Sequence, residues 1–378
     1  MSLYFDNAST TPIHPAALDA MVRAASDTFA DPSRLYGAAR RARIALDTAR
    51  DGIATFIGAR AEEIVFTSGG TESCNLAITA GARAATAARK PARILVSAVE
   101  HTAVLEAARA LEGFEVVELP VNAQGVVDLE ALRDEAAKGA GVVSIQLANP
   151  EVGTLQPVAD AARIARDAGA LFHTDACAAV GHIAVDAKAL GVDMLSASGH
   201  KCYGPKGAGF LWIRRGVRVR ASMLGDDRER QRRAGMENLP AIAGMAAALD
   251  ARAGEIGPEA ERLGALSARL REELPKRVSD IVLHGKPGLP GLVAFSILYL
   301  EGEVLLLGLD QRGIAVHSGS SCTSSAGEPS HVLTAMGALT QGSVRVSMGR
   351  DTTEADIDAF LDALPPVVAR ARDLAGTV

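Results

Sequence analysis

Residues 196–209 read Ser196-Ala-Ser-Gly-His200-Lys201-Cys-Tyr-Gly-Pro-Lys-Gly-Ala-Gly209. The stretch puts a lysine between a β-rich run that ends at Ser196 and a turn dense in glycine. A lysine in such a turn is poorly placed to be a solvated surface charge. Once desolvated, its amine can act as a Schiff-base nucleophile toward an aldehyde cofactor. The stretch therefore predicts a reactive Lys201 directly after a strand.

Short β-rich runs alternate with alanine-rich amphipathic runs through the first two-thirds of the chain. The pattern predicts strands at Ile64–Thr67, Ile94–Ser97, Val116–Leu119, Val142–Ile145, Leu171–His173 and Met194–Ser196. It predicts helices at Arg40–Phe56, Glu72–Ala85, Ala103–Leu111, Leu129–Ala137 and Val158–Ala168. This alternation is typical of an α/β fold in which helices sandwich a mainly parallel sheet.

The pattern changes in the last third of the chain. One long helix is predicted from Pro240 to about Val278, followed by strands at Ile281–His284 and Leu292–Tyr299 and then by a helix, a strand and a closing helix. We expect a large domain of residues 13–254. Residues 1–12 and 255–378 are expected to form a smaller α+β domain, with the long helix as the connector.

Composition excludes several classes of protein. The 378 residues are 48% apolar and 22% charged, which suits a large aliphatic core and argues against disorder. The net charge of −6 and the lack of a basic block argue against a nucleic-acid partner. The most apolar run, residues 291–300, is shorter than the ~18 residues that a membrane span needs. The four cysteines show neither disulfide nor metal-site spacing, so a cytoplasmic location is expected.

Two further strand ends carry residues that suit a cofactor. Ser68-Gly69-Gly70-Thr71-Glu72-Ser73 joins a strand to a helix, and it is either a phosphate cradle or an ordinary capped turn. Asp175 closes another strand at the sheet edge where α/β ligands bind. An aspartate there can pair with a pyridinium nitrogen and keep it protonated. Together with Lys201, these residues favour a pyridoxal-type cofactor.

The last two candidates lie near the C-terminus. Cys322 sits in a Ser/Gly run without aliphatic neighbours, so it is either a nucleophile on a solvated loop or an inert loop thiol. Arg345 lies on a predicted strand where alternation points it inward, with no acidic residue near it in sequence. It is expected to take a carboxylate from elsewhere, such as the substrate's, unless it is a surface arginine paired with the final helix.

Eight motifs in order along the chain resemble the class-V aminotransferase family, specifically cysteine desulfurases of the NifS/IscS type. They are Asp6-Asn-Ala-Ser-Thr-Thr11, Ser68-Gly-Gly-Thr-Glu-Ser73, Glu100-His101-Thr-Ala-Val, His173-Thr-Asp175-Ala, His200-Lys201-Cys-Tyr-Gly-Pro-Lys-Gly, Arg233-Ala-Gly-Met-Glu-Asn238, Ser318-Gly-Ser-Ser-Cys322-Thr-Ser and Val344-Arg-Val-Ser-Met-Gly-Arg350-Asp-Thr-Thr-Glu. The resemblance implies a fold-type-I pyridoxal-phosphate homodimer that converts L-cysteine to L-alanine and leaves a persulfide on the enzyme.

The resemblance also implies a role for each candidate residue. Lys201 would hold the cofactor through an imine and move protons, His101 would stack on the ring, and Cys322 would attack the substrate sulfur. Arg345 would bind the substrate carboxylate. The other cofactor-binding residues would be Asp175 at the pyridine nitrogen and Gly70, Thr71, Ser198 and His200 at the phosphate. No metal site is implied, and the partner would be a sulfur acceptor such as an iron–sulfur scaffold.

The sequence departs from the family pattern at three positions near the cofactor. Pro150 replaces an asparagine, Ala178 replaces a glutamine, and Met236 replaces a threonine that reaches the phosphate from the other subunit. A lost neutral hydrogen bond is worth only ~0.5–1.5 kcal/mol, so cofactor retention is expected while rate or substrate preference changes. Cys177 and Cys202 are expected near the site, because they flank Asp175 and Lys201 in sequence.

Three functions remain open at this stage. The first is a cysteine desulfurase that supplies sulfur for iron–sulfur clusters or another thio-cofactor. The second is a relative that acts on selenocysteine or cysteine sulfinate, which the changed residues beside the ring would favour. The third is a degenerate sulfur-carrier scaffold without turnover, against which the retention of Lys201, Asp175, His101, Cys322 and Arg345 argues.

Overall fold

Strands and helices alternate as the sequence pattern predicts. A computed structural model describes residues 3–318 and 329–376. Its strands are β1 Leu3–Tyr4, β2 Ile64–Thr67, β3 Arg93–Ser97, β4 Glu115–Leu119, β5 Val142–Ser144, β6 Leu171–Asp175, β7 Met194–Ser198, β8 Gly209–Ile213, β9 Ile281–His284, β10 Leu292–Ile297, β11 Ile314–Ala315 and β12 Ser343–Ser347. Its α-helices are α1 Pro15–Asp27, α2 Gly37–Phe56, α3 Gly70–Ala87, α4 Thr102–Arg109, α5 Leu129–Ala137, α6 Val158–Asp167, α7 Arg228–Gln231, α8 Leu239–Ala253, α9 Ile256–Arg277, α10 Gly302–Asp310, α11 His331–Ala335 and α12 Glu354–Ala375.

The main sheet has seven strands in the order β2-β8-β7-β6-β5-β3-β4. Every pair from β7 to β4 is parallel, whereas β8 is antiparallel to both β7 and β2. The sequence analysis missed β8, whose five residues are all buried and follow the turn of residues 204–208. All strands except β8 therefore run the same way, and their carboxyl ends share one edge.

Helices cover both faces of this sheet, which confirms the predicted sandwich. Neighbouring residues of a strand point to opposite faces, and each face has its own apolar cluster. Leu95 and Val143 pack with Leu132 of α5 on one face. Ile94 and Val142 pack with Ile78 of α3 on the other. Both sides of the sheet are thus dry, and the polar residues His173 and Ser196 at the centres of β6 and β7 are hydrogen-bonded to each other at 2.8 Å.

The C-terminal region has a sheet of its own. β12, β10 and β9 form an antiparallel sheet, and β1 pairs with β11 in parallel. Phe295 of this sheet, Leu270 of α9 and Phe360 of α12 share one core, and the Phe5 ring meets the Phe360 ring edge-on at 5.7 Å. The N-terminal strand therefore joins the C-terminal elements as expected. The domain boundary at residue 254 stays a prediction.

The predicted helix from Pro240 to Val278 is wrong, because two helices, α8 and α9, occupy that stretch. α8 ends at Ala253 and α9 begins at Ile256. Pro258 explains the break, since proline lacks an N–H and its ring clashes with the carbonyl four residues earlier, here that of Gly254. Proline is tolerated in the first turn of a helix, which is where α9 places it.

Arg252 stabilises this break. Its side chain is fully buried and forms two hydrogen bonds to the Glu259 carboxylate, at 2.7 and 2.6 Å. It also donates to the Gly181 carbonyl at 3.2 Å and stacks over the Tyr203 ring, 4.9 Å from its centroid. One cation thus joins α8, α9 and the turn that follows Lys201.

We expect Arg252→Gln to lower the free energy of unfolding by about 3 kcal/mol, because it leaves the buried Glu259 carboxylate without its charge partner. The shift of the urea midpoint measures this loss. Arg163→Gln is the matched control, since Arg163 and Asp160 form an exposed pair that is worth less than about 1 kcal/mol. Equal shifts for the two variants would contradict this account of the break.

Candidate active site

The residues predicted to act together line one cavity of about 350 Å³. It lies at the carboxyl edge of the main sheet, where β2, β3, β5, β6 and β7 end. The cavity brings together eight of the nine candidate residues: Gly70, Thr71, His101, Asp175, Ser198, His200, Lys201 and Arg345. The ninth, Cys322, lies outside the described residues.

Lys201 follows β7 in a single helical turn, Gly199–Lys201. Its ammonium group donates to the Ala8 carbonyl of the N-terminal segment, and its own carbonyl accepts a 2.7 Å hydrogen bond from His182 Nε2. Burial, and next the charge of Arg345, lower the pKa of the Lys201 amine. A lowered pKa increases the neutral fraction of the amine, which is the form that attacks a carbonyl carbon.

Asp175 is the last residue of β6 and lies opposite Ser196 of β7. It is buried, and its Oδ1 accepts a 2.9 Å hydrogen bond from the Cys177 backbone N–H. A carboxylate fixed at a strand end beside the cavity can accept a hydrogen bond from the N–H of a protonated ring nitrogen. The position therefore suits the role that the resemblance implies.

His101 caps the N-terminus of α4. Its Nδ1 accepts a 3.0 Å hydrogen bond from the Ala103 backbone N–H, which puts the ring proton on Nε2. Burial lowers the pKa of this imidazole, so the neutral form is favoured. A neutral ring held by the helix backbone can stack on a planar ligand without adding a charge to the cavity.

Ser198 and Gly70 form a corner that suits a phosphate. Ser198 Oγ is buried and has no hydrogen-bond partner among the described residues. A Cβ added to Gly70 would lie 2.6 Å from Cys177 Sγ and 3.3 Å from Ser198 Cβ, so only glycine fits at the start of α3. The corner thus offers an unused hydroxyl and the first backbone N–H groups of a helix, which favour an anion.

His200 belongs to the same corner. Its Nδ1 lies 3.3 Å from Thr10 Oγ1 of the N-terminal segment. Burial, and next the charge of Lys201, lower its pKa to about 4. The ring is therefore neutral at pH 7 and can donate one hydrogen bond to an anion from its N–H.

Arg345 lies on β12 and is buried against the same cavity, so the alternative of a surface arginine is wrong. The expected carboxylate from elsewhere in the chain is that of Asp6. Its Nη2 is 2.6 Å from Asp6 Oδ1 and 2.7 Å from Ser9 Oγ. The sequence analysis missed this pair because 339 residues separate Asp6 from Arg345. The bridge between Asp6 and Ser347 brings them together.

Sequence analysis also missed two buried acids in the cavity wall, Glu100 and Glu151. Glu100 Oε1 accepts 2.7 Å hydrogen bonds from Ser97 Oγ and the Gln146 N–H, while Oε2 has no partner among the described residues. Burial raises the pKa of Glu100 to about 8. The available signal was its position directly before His101.

Glu151 contacts the chain shortly after residue 328, where the described structure resumes. It accepts a hydrogen bond from Ser330 Oγ, and both side chains are buried. Burial raises the pKa of Glu151 to about 7. His331 Nε2, next to Ser330, donates to the Glu100 carbonyl at 2.9 Å. These contacts place residues close in sequence to Cys322 against the cavity.

The two cysteines expected near the site differ in position. Cys177 lines the cavity, where contact with the Cys74 thiol and burial raise its pKa well above the ordinary value. Cys202 is buried with its Sγ 3.2 Å from the Gly199 carbonyl, and burial raises its pKa to about 12. Neither thiol is favoured as a thiolate at neutral pH.

The three departures from the family pattern lie in different surroundings. The Pro150 carbonyl accepts a 3.1 Å hydrogen bond from Arg345 Nη1, so the backbone there still contributes to the site. Ala178 lines the main cavity and also a small second one of about 20 Å³ beside Lys201. Met236 is 59% exposed, on the outer surface of the chain.

Residues 3–318 and 329–376 contain no helix that is both long and apolar enough to cross a membrane. No group of three or more His, Cys, Asp and Glu side chains there is arranged to hold a metal ion.

Comparisons with known proteins agree with the geometry. The family model for aminotransferase class-V matches residues 3–360. The chain belongs to the class-V aminotransferase family. A cysteine desulfurase IscS from Dictyoglomus turgidum is 42% identical over 98% of this chain and 96% of its own length.

Two solved structures resemble the fold of this class-V chain. A NifS-like protein has a TM-score of 0.90 and 33% identity, over 98% of this chain and 100% of its own. A structure described as SspA in complex with cysteine has a TM-score of 0.79 and 30% identity, over 92% of this chain and 99% of its own. These matches confirm the predicted fold.

We expect Glu100→Gln to raise the melting temperature by about 2 °C at pH 8. The carboxyl ionises near pH 4.5 when unfolded and near pH 8 when folded. Between these pH values the unfolded state releases the proton while the folded state keeps it, so the folded state becomes progressively less stable. The loss of stability is complete above pH 8. The amide lacks this loss of stability, so the gain in melting temperature should vanish near pH 4.

Calorimetry measures the melting temperatures of the wild type and the variant at pH 4 and pH 8, with the exposed Glu62→Gln as control. A larger gain at pH 4 than at pH 8 would contradict a neutral Glu100.

Proposed function

We propose that the protein is a pyridoxal-phosphate-dependent cysteine desulfurase. It converts L-cysteine to L-alanine and takes the sulfur as a persulfide on Cys322. One observation carries the proposal: a buried lysine amine of lowered pKa shares a cavity with a strand-end carboxylate, an unused serine hydroxyl and a buried arginine. The names of relatives about 40% identical over nearly the whole chain support the same activity.

The residues present fit pyridoxal phosphate. Ser198 Oγ, the start of α3 and neutral His200 would hold the phosphate, and Asp175 would hold the ring nitrogen. Lys201 would hold the aldehyde carbon. When bound, this cofactor withdraws electrons from the bonds around the substrate Cα.

The chain's own residues supply the remaining steps. Because its pKa is lowered, the Lys201 amine can take the proton from the substrate Cα and later return it. Neutral His101 would cover the face of the cofactor ring without adding a charge to the cavity. Arg345 offers its guanidinium to the substrate carboxylate, with Nε buried and unpartnered among the described residues. Lys201, His101 and Arg345 line the same cavity, so one amino acid could contact all three side chains.

Cys322 would complete the reaction. Its thiolate would form an S–S bond to the substrate sulfur while the substrate C–S bond breaks. The electron pair of the broken bond stays on the substrate carbon, which takes up a proton, and the three-carbon product is alanine. The contacts of Ser330 and His331 with Glu151 and Glu100 support access of this chain segment to the cavity.

A related substrate is a second candidate. Ala178 leaves about 20 Å³ beside Lys201, and Pro150 removes an amide, so the wall near the ring is less polar than the family pattern. Selenocysteine would then be turned over as well as cysteine or better, whereas such a wall disfavours the additional charge of cysteine sulfinate. A degenerate scaffold is disfavoured, because a chain freed from catalysis has no physical need to keep a buried lysine of lowered pKa.

We expect borohydride reduction of the purified protein, followed by peptide mass mapping, to find the cofactor's mass on Lys201. Lys188 is the internal control, since it is exposed and away from the cavity. Alanine is then quantified with L-cysteine, selenocysteine and cysteine sulfinate as substrates, together with the second product of each: sulfide, selenide or sulfite. Cofactor attachment at another lysine, or at none, would overturn the proposal.

Cys322→Ala tests the sulfur step in the same assay. The variant should keep the cofactor yet lose at least about 100-fold in turnover, because its nucleophile is gone. Cys202→Ala is the matched control, since it retains the Cβ that packs on Gly181. Wild-type sulfide release by Cys322→Ala would rule out the persulfide.

Exposed apolar side chains support a homodimer. Leu35 is 95% exposed and Leu224 is 84% exposed, and Phe29, Tyr36, Met223 and Met236 add to the surface. These side chains lie on two segments, residues 29–36 and 223–237. Arg228 joins the segments through ion pairs with Asp31 and Glu237, at 2.7 and 2.6 Å. An apolar surface of this kind marks an interaction site.

We expect Leu35→Asp combined with Leu224→Asp to convert the dimer to a monomer, since two charges would be buried in the interface. Light scattering after size exclusion gives the mass. Leu374→Asp, at a position that is 74% exposed on α12, should leave the dimer intact. A monomeric wild type would refute the assignment of this surface.

The acceptor of the sulfur is proposed to be a protein, such as an iron–sulfur scaffold. The IscS names of relatives support that class of partner. A cytoplasmic location is part of the proposal, because the free thiols Cys74, Cys177 and Cys202 suit a reducing compartment.

A further inference from the structure

We propose that Asp6 occupies the carboxylate-binding edge of Arg345 when no substrate is bound, and that the substrate carboxylate displaces it. Asp6 would then set the affinity for carboxylate-bearing substrates. This inference rests on the proposed function, since it concerns the arginine that would bind an amino acid. It adds an internal competitor at that arginine.

The hydrogen bonds of Arg345 carry the argument. A guanidinium has five N–H groups. Both N–H groups of Nη2 are used, by Asp6 Oδ1 at 2.6 Å and Ser9 Oγ at 2.7 Å. Nη1 donates to the Pro150 carbonyl at 3.1 Å, and Nε is buried without a partner among the described residues.

Geometry then forces a displacement. A carboxylate binds a guanidinium bidentately through two nitrogens of one edge. One such edge pairs Nη2 with Nη1, and the other pairs Nη2 with Nε. Both edges therefore include Nη2, which Asp6 and Ser9 saturate. An incoming carboxylate therefore binds bidentately only if Asp6 or Ser9 leaves Nη2, and of these two partners only Asp6 carries a charge that repels it.

The Asp6 side chain is nearer to solvent than that of Arg345, and besides Arg345 it is held by Ser9 Oγ, which donates to Asp6 Oδ1 at 2.8 Å. The Asp6 side chain is 21% exposed, against 7% for Arg345. The backbone of Asp6 stays fixed by its bridge to Ser347 and by the Tyr4 hydroxyl, which donates to the Asp6 carbonyl at 3.1 Å. A rotation of the Asp6 side chain toward solvent would free the edge without unfolding the segment.

The exchange also conserves charge around Lys201. Arg345 lowers the pKa of Lys201, while Asp6 and Asp175 raise it. The substrate carboxylate replaces the Asp6 carboxylate on the same cation, so the field at the lysine amine changes little. A thiol amine without a carboxylate, such as cysteamine, would leave Asp6 in place and gain no help from Arg345.

The test is calorimetric titration of the cofactor-loaded protein with 3-mercaptopropionate, a thiol carboxylate that has no amine. Asp6→Asn should bind this probe about tenfold more tightly, the factor expected when one charge-assisted hydrogen bond no longer competes. KM for L-cysteine should fall by a similar factor with kcat unchanged, because binding alone is altered. Asp310→Asn, an exposed acid at the end of α10, should change neither value.

Further variants separate competition from other effects. In an Arg345→Gln background, Asp6→Asn should no longer tighten binding of the probe. Asp6→Ser removes the same charge and gives the same tightening, so it carries the test if Asp6→Asn is unstable. Equal or weaker binding by the Asp6 variants would overturn the inference, because Asp6 would then orient Arg345.

The outcomes distinguish this inference from the proposed function. Tighter probe binding without alanine and sulfide from L-cysteine would leave the Asp6 inference standing and refute the desulfurase. Desulfuration without tighter binding would refute the Asp6 inference alone.

Discussion

The site depends on a lysine amine held out of water between charges of both signs. Desolvation favours the neutral amine of Lys201, and the nearby Arg345 cation favours it further. Asp6 and Asp175 oppose this and keep the local charge close to balance. An unbalanced cation at this depth would cost several kcal/mol, so the acids, the arginine and the lysine must be placed together.

A parallel sheet makes that placement possible. Strands that run in one direction deliver their following residues to one edge. In this chain that edge receives Gly70 after β2, His101 after β3, Asp175 after β6 and Lys201 after β7. The antiparallel sheet near the C-terminus adds Arg345 from β12, and the N-terminal segment adds Asp6 and Ala8 between them.

Three acids at the site differ in their partners. Asp6 has a cation within hydrogen-bond distance. Among the residues that the structure describes, only neutral groups donate hydrogen bonds to Glu100 and Glu151, and burial raises the pKa of each. These two glutamates can therefore stay protonated near neutral pH and line the cavity without charge. Electrostatic balance in the site thus comes from protonation as well as from ion pairing.

The sequence by itself determined the alternation of strands and helices, the identity of Lys201, Asp175, His101 and Arg345 as candidates, and the family. Each of these depends on local spacing or on motifs of a few residues, so packing is not needed to see them. Only the tertiary structure decided that Arg345 meets Asp6, that Glu100 is buried, and that β8 completes the sheet. It also placed Pro258 at the start of a new helix. These features depend on which distant segments lie together, and on how much water they exclude, and neither quantity is encoded in the neighbours of a residue along the chain.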